Sequence, residues 1–289
     1  MNEYTFTNAH GDSLTFSGRT DPIMLEKITG LTEITGDQIT VKTYGADGAI
    51  YKRTDLQPKQ ITVYLYISGD GSERDVSRKF LNKIFNPKIG EGVLACNIGG
   101  VISRISAVPD GMPDIDMDEP EMLESVQFIL LAHNPYFTRE KQTVDFSCEA
   151  GGLHFPLAVT DTGSDVGYRV IEYIKIIEND GTKEAGCKAV LEAIGAVVNP
   201  VIQCLETNES LKVTYSMVAG ERMVIDTSRD VHRIKSTIDG VTTDITGNMD
   251  FTTAFFDIPS GKSTFVYNAD SGAENLNLTV EFTPRYISL

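Results

Sequence analysis

The sequence contains no tryptophan. Sugar-binding platforms lean on that ring for stacking, so a glycan-binding face here would have to be assembled from tyrosines. No apolar run approaches the roughly 18 residues that suggest a membrane-spanning helix. The four cysteines, Cys96, Cys148, Cys187 and Cys204, include no CxxC pair. Their spacing implies no disulfide framework, and free, buried thiols are the expectation. The four histidines, His10, His133, His154 and His232, lack metal-ligand spacing. Without a Gly-x-Ser-x-Gly elbow, hydrolysis by that type of nucleophile has no support. Nothing in the sequence singles out a carboxylate pair of the kind that cleaves glycosides. The reading is therefore of a protein with no catalytic residues, no metal and no cofactor.

Basic residues are also scarce. Twenty-five Lys and Arg stand against 41 Asp and Glu, a net charge of −16. Divided at Thr143, the first part carries 14 basic and 20 acidic residues (net −6) and the second 11 and 21 (net −10). Neither part has the basic footprint of a nucleic-acid binder, and neither is suited to an anionic membrane surface. The opening MNEYTFTNAHGDSL is polar and alternating, unlike a secretory signal.

Two motifs imitate known sites and fail on spacing. Gly261-Lys262-Ser263 resembles the end of a phosphate loop, but Phe256 stands where the first glycine belongs. The following STFVY reads as a strand, so an exposed β-turn is expected. Asp114-Ile115-Asp116-Met117-Asp118 opens like a calcium loop, yet Glu119 and Ser125 occupy the positions that require Gly and Glu.

What the sequence does have is strand patterning. Residues 3–7 and 13–16 alternate around His10-Gly11-Asp12 and predict a hairpin. Residues 38–44 and 49–53 flank a turn containing Asp47-Gly48 and predict a second. Residues 61–68 place Val63, Leu65 and Ile67 on one strand face. Strands are also expected at 93–98, 101–108 and 125–132, the last buried on both faces. PDGMPDIDMDEPE, residues 109–121, holds six carboxylates and three prolines and is read as a solvated loop without strand. A polar stretch near residues 138–145 predicts a boundary, giving domains 1–140 and 141–289. The second part repeats short strands, with hairpin turns at Asn179-Asp180-Gly181 and Asp239-Gly240. This spacing suggests a sandwich or jelly roll.

One segment breaks the two-residue period. Val76, Phe80 and Ile84, widened by Leu81 and Phe85, form an apolar helical stripe. The spacing predicts a helix over about 73–86, started by a Ser72/Asp75 capping box and stopped by Pro87. Gly90 and Gly92 then turn the chain into the next strand.

By residue 137 these elements form a recognisable series: Phe6-Thr7-Asn8-Ala9-His10-Gly11, Asp47-Gly48, RKFLNKIFNPKIGEG (78–92), and FILLAHNPYF (128–137). Their order resembles the phage distal tail protein family (Dit). Asn86, Pro87, Lys88 and Gly90, with Asn134, Pro135 and Tyr136, match its structural turns. Residues 197–202 and 255–282 are similar, more loosely, to its galectin-like outer domain. Lys59, where an arginine is expected, and His133-Asn134 depart from the pattern. The resemblance implies a mainly β chain: a sandwich-like belt domain with one helix, then a galectin-like sandwich. It implies a homo-hexameric ring at the virion tail tip, assembled in the bacterial cytoplasm and leaving a channel for DNA. The implied partners are the tail tube protein, tail-tip proteins and receptor-binding proteins. Asp114, Asp116, Asp118, Glu119 and Glu121 are expected to contact one of these partners or a neighbouring copy. Two other readings share the pattern: a carbohydrate-binding adhesion module presenting Tyr168, Tyr173, Tyr215 or Tyr267, and the hub of a contractile tail or tail-derived bacteriocin.

Overall fold

Alternation in the first sixteen residues produces the expected hairpin, β1 (Glu3–Thr7) paired with β2 (Ser13–Phe16). The computed structural model describes the chain except residues 1, 19–20, 46, 117–122, 152–166 and 172, and only the backbone of 147–151 and 167–171. Met1–Glu140 with Tyr286–Leu289 make one unit, and Lys141–Arg285 make the other. The chain thus returns its last four residues to the first unit, which nothing in the sequence pattern announces.

The first unit continues with β3 (Ile23–Thr29), β4 (Gly36–Val41), β5 (Ile50–Leu56) and β6 (Lys59–Ser68). Helix α1 (Gly71–Ile84) and a 3-10 turn (Pro87–Ile89) follow, then β7 (Gly92–Ile98), β8 (Val101–Pro109), β9 (Asp114–Ile115), β10 (Leu123–Ala132) and β11 (Phe137–Thr138). The strands run in the order β2-β1-β7-β8-β10-β6-β3. β8 and β10 pair at Leu130–Pro109 and Leu131–Val108. A chain of rings fills the space beneath: Phe6 to Phe85 at 5.1 Å, Phe85 to Phe128 at 3.9 Å, and Phe128 to Phe16 at 6.5 Å.

The helix lies about two residues earlier than its apolar stripe predicts. Asp70, not Ser72, caps it: its Oδ1 accepts from the N–H groups of Ser72 and Glu73 at 2.8 and 2.9 Å. Glu73 returns a bond from the Asp70 N–H at 3.1 Å, completing the box. The stripe is also split. Ser77, Leu81 and Ile84 face the core with Phe85, whereas Val76 and Phe80 are 66% and 40% exposed. Gly92 belongs to the strand and not to a turn; a Cβ there would lie 2.6 Å from both the Phe6 ring and the Thr7 carbonyl.

Two further expectations are corrected. The acidic segment is partly strand, because β9 pairs with Gln127 and Val126 of β10, and Pro109 and Pro113 are buried. β10 itself is buried on one face, with Val126, Phe128, Leu130 and Ala132 inward and the alternate residues less covered.

In the second unit the strands are β12 (Gln142–Asp145), β13 (Ser147–Gly151), β14 (Gly167–Ile171), β15 (Ile174–Asn179), β16 (Cys187–Ala193), β17 (Val197–Cys204), β18 (Glu209–Lys212) and β19 (Ser216–Met217). They continue as β20 (Arg222–Asp226), β21 (Arg233–Ile238), β22 (Val241–Asp244), β23 (Gly261–Ser271) and β24 (Leu276–Phe282). One sheet runs β12-β24-β16-β20-β21-β22 and the other β15-β23-β17-β18, with an apolar core that includes Phe146, Leu191, Phe265 and Leu278. The described residues are mostly β with one short α-helix, in two sandwich-like modules. Asp239-Gly240 closes the β21–β22 hairpin as expected. Asn179-Asp180-Gly181 instead carries the chain from one sheet to the other. Gly261 and Ser263 open β23, with Ser263 buried, so this segment is not an exposed turn.

Candidate assembly surfaces

Among the described residues no group of His, Cys, Asp and Glu could hold a metal ion. His154 lies outside the described residues. Cys96, Cys187 and Cys204 are free and buried, as their spacing predicts, and Cys148 lies outside the described side chains. Burial pushes the Cys96 and Cys187 thiols up to about 12, so neither forms a thiolate nucleophile near neutral pH. The features that stand out are surfaces.

The first is an arm. β4 and β5 form a two-stranded sheet on their own, and β4 is exposed at every residue. Ile39, Val41 and Ile50 share one face of it, with Val41 opposite Ile50. They are 41%, 48% and 56% exposed, and Tyr44 at the tip is fully so. An isolated two-stranded hairpin is marginal in water, and an uncovered apolar face is the mark of an interaction site.

The root of the arm is fixed by Lys59. Its buried Nζ donates to the carbonyls of Leu31 at 3.2 Å and Glu33 at 2.8 Å, and lies 5.4 Å from the centre of the Phe137 ring. Burial lowers the lysine's pKa, and the Glu33 charge opposes that shift. A lysine therefore supplies the expected cation here, as a single ammonium shared between two carbonyls.

The second surface is a groove along α1. Asp21, Pro22, Ser68 and Glu73 line a cavity of about 610 Å³ with Val76 and Ser77. A cavity of about 270 Å³ adds Leu14 and Phe80 and shares Asp21, Pro22, Val76 and Ser77, so the two are continuous. The outward half of the helical stripe forms one wall.

The two Asn-Pro turns have the same local cause. Asn86 Oδ1 accepts from the Lys88 N–H at 3.0 Å, and Asn134 Oδ1 accepts from the Tyr136 N–H at 3.4 Å. Each asparagine holds the backbone two residues on while the following proline restricts it to an extended conformation. Gly90 closes the first turn at φ 96°. The turns lie at the ends of α1 and β10 and present no shared site.

Asp114 sits on β9, and the Asp116 N–H donates to the Ser125 carbonyl at 2.9 Å. Asp118, Glu119 and Glu121 lie outside the described residues. Of the four tyrosines considered for sugar stacking, Tyr267 is buried, Tyr215 packs against the core, and Tyr173 leans on Tyr267 at 5.4 Å. The side chain of Tyr168 is outside those described. Only Tyr173 of these three is exposed, at 39%, so together they make no shared platform.

The described residues thus form two sandwich-like modules, the first with an exposed apolar hairpin and a groove along its helix. Two family descriptions match the chain: the phage tail protein RIFT-related domain over residues 14–148, and the siphovirus-type tail component, C-terminal domain, over 180–286. The chain belongs to the siphophage distal tail protein family. No curated protein sequence matches it. Among solved structures it is similar to the phage SPP1 Dit protein (gp 19.1), whose structure is described as a paradigm of the hub adsorption apparatus of phages infecting Gram-positive hosts. The identity is 14%, the TM-score 0.70, and 98% of each chain is covered. It is also similar to a chain of the phage P2 baseplate in its activated conformation with Ca, at 12% identity, TM-score 0.51 and full coverage of both chains.

Proposed function

We propose that this chain is the ring-forming hub at the distal end of a siphophage tail, acting as a homo-hexamer that joins the tail tube to the host-recognition apparatus. In this reading residues 1–140 form the belt and 141–289 the outward-facing domain. The tube protein lies above, tail-tip and receptor-binding proteins lie below, and assembly takes place in the bacterial cytoplasm. The observation that carries it is the arm: an apolar hairpin face exposed among the described residues of a protein of the distal tail family. Family membership supports a structural role without catalysis. The carboxylates Asp114 and Asp116, with Asp118, Glu119 and Glu121, are offered as contacts for a neighbouring copy or tail protein.

The acidic balance suits a channel through which DNA passes. With a screening length of about 8 Å at physiological salt, only DNA near the wall is repelled. The charge therefore prevents adhesion and does not steer the cargo.

Gold-labelled chain in purified tails tests this reading. Label confined to the distal end of the tube is expected; label along the tube or at the head end would contradict it.

A further inference from the structure

We infer that Tyr286–Leu289 form a latch: chain that follows the second unit completes the first and fixes the root of the arm. The consequence for assembly rests on the ring reading above. A copy whose second unit has not yet been made has an arm without a fixed root and does not enter the ring.

The latch is anchored by burial. Tyr286 is 7% exposed within the core that holds Phe6, Phe85 and Phe128, and Leu289 packs against the same core. The Arg139 guanidinium lies 3.9 Å from the centre of the Tyr286 ring, and its Nε donates to the buried Ser103 hydroxyl at 3.3 Å. A flat cation stacked on a ring and tied at its edge is held in one orientation. One residue earlier the chain still belongs to the second unit, where the Arg285 carbonyl accepts from the Thr182 N–H at 2.8 Å.

From Arg139 the path to the arm runs through β11. That strand is two residues long and meets β8 at Thr138–Arg104. So short a strand gains little from its ladder, and side chains decide its position. Thr138 Oγ1 donates to the Arg104 carbonyl at 3.2 Å, Arg139 carries the latch, and the buried Phe137 ring faces the Lys59 ammonium. Lys59 in turn holds the carbonyls of Leu31 and Glu33 at the foot of the arm. Every step from Tyr286 to the arm root is thus a contact or a stretch of backbone, the continuity that coupling between two places requires. During synthesis the N-terminal unit of a chain generally folds first. Here the path stays incomplete until all of Lys141–Arg285 has been made.

Hydrogen exchange on the full chain and on Tyr286→Ala tests the latch. The Gln57 N–H, which donates to the Thr35 carbonyl at 2.9 Å, reports the arm root. Exchange is expected to rise about tenfold at Gln57 and residues 31–35, as well as at 103–105 and 137–139, with 187–193 unchanged. Tyr286→Phe keeps the ring and should exchange like wild type. A rise confined to 103–105 and 137–139 would show local packing alone and overturn the latch, as would no rise at all. If Tyr286→Ala does not fold, Arg139→Gln decides on the same residues, because it removes the stacked cation and leaves Tyr286–Leu289 in place. The assembly consequence is read in tails produced from a mixture of full chains and chains ending at Arg285. Exclusion of the shortened chain supports it, and incorporation in proportion to supply overturns it. Both outcomes leave the hub reading intact, whereas wild-type chain missing from the tail tip removes that reading and not the exchange result.

Discussion

The carboxylate of Glu124 grips Arg78 with both oxygens, Oε2 accepting from Nε at 2.9 Å and Oε1 from Nη2 at 3.0 Å. Arg74 adds a third contact to Oε1 at 3.2 Å. One strand and one helix are thereby locked at a fixed register, because a forked guanidinium accepts little rotation. The Glu124 side chain is 3% exposed and those of its partners 22% and 23%.

Glu124→Gln should therefore destabilise the first unit by about 2–3 kcal/mol, less than a fully buried pair because both arginines still reach water. Chemical denaturation checks the magnitude. A loss under about 0.5 kcal/mol, the range of an ordinary surface change, would show that the helix is held by Leu81 and Phe85 alone.

At the end of α1, Asn86, Pro87 and Gly90 share the work of stopping the helix. Removing one constraint leaves the others, so Pro87→Ala should cost about 0.5–1 kcal/mol. Gly90→Ala should cost more, about 1–2 kcal/mol, because φ is 96° there although no atom lies within 4 Å of the added Cβ. Asn86→Ala should lie near 1 kcal/mol, as for a lost cap. Thermal melts of the three variants check the order, and a Pro87 variant worse than the Gly90 variant would reverse it.

Lys59→Met keeps the packing and removes the donor to Leu31 and Glu33. The arm root should loosen, with faster hydrogen exchange across residues 31–57 and a stability loss of about 1–2 kcal/mol. The sign of its pH dependence also follows. The unfolded lysine, near its ordinary 10.5, binds a proton more tightly than the buried one, so its contribution rises with pH up to that value. The difference in stability between wild type and Lys59→Met should widen from pH 8 toward about pH 10.

Acid should act mainly on the second unit. Asp244 is held low by the Thr246 hydroxyl and N–H, Asp250 by the Thr252 N–H and hydroxyl, and Asp270 by Lys212 and Asn199. Carboxylates with lowered values stabilise the fold above their ordinary 3.8, and that contribution disappears as pH falls through the lowered ones. Hydrogen exchange followed below pH 4 should show protection lost from residues 205–275 before residues 60–108. Simultaneous loss would place the acid-sensitive groups elsewhere.

Much of the fold could be read locally. Val63, Leu65 and Ile67 alternate because one face of β6 is core, and that alternation is visible without any partner. The helix was misplaced by two residues because Asp70/Glu73 and Ser72/Asp75 both have capping spacing. The choice between them depends on which face meets Phe6 and Phe128, which is a tertiary matter. For the same reason Val76 and Phe80 read as core. Ile39, Val41 and Ile50 look like any buried strand, and only the absence of a covering layer makes them an arm. Glu124 carries no signal, since a lone acidic residue at a strand start is ordinarily solvated. Asn179-Asp180-Gly181 has correct turn chemistry, but sequence does not say which sheet receives the chain.

The central claim is a ring of identical copies at the tail tip, and a cryo-electron microscopy reconstruction of that tip tests it most directly. Sixfold density for this chain is expected at the end of the tube, with residues 1–140 forming the ring. Any other symmetry, or a tip without this chain, would contradict it.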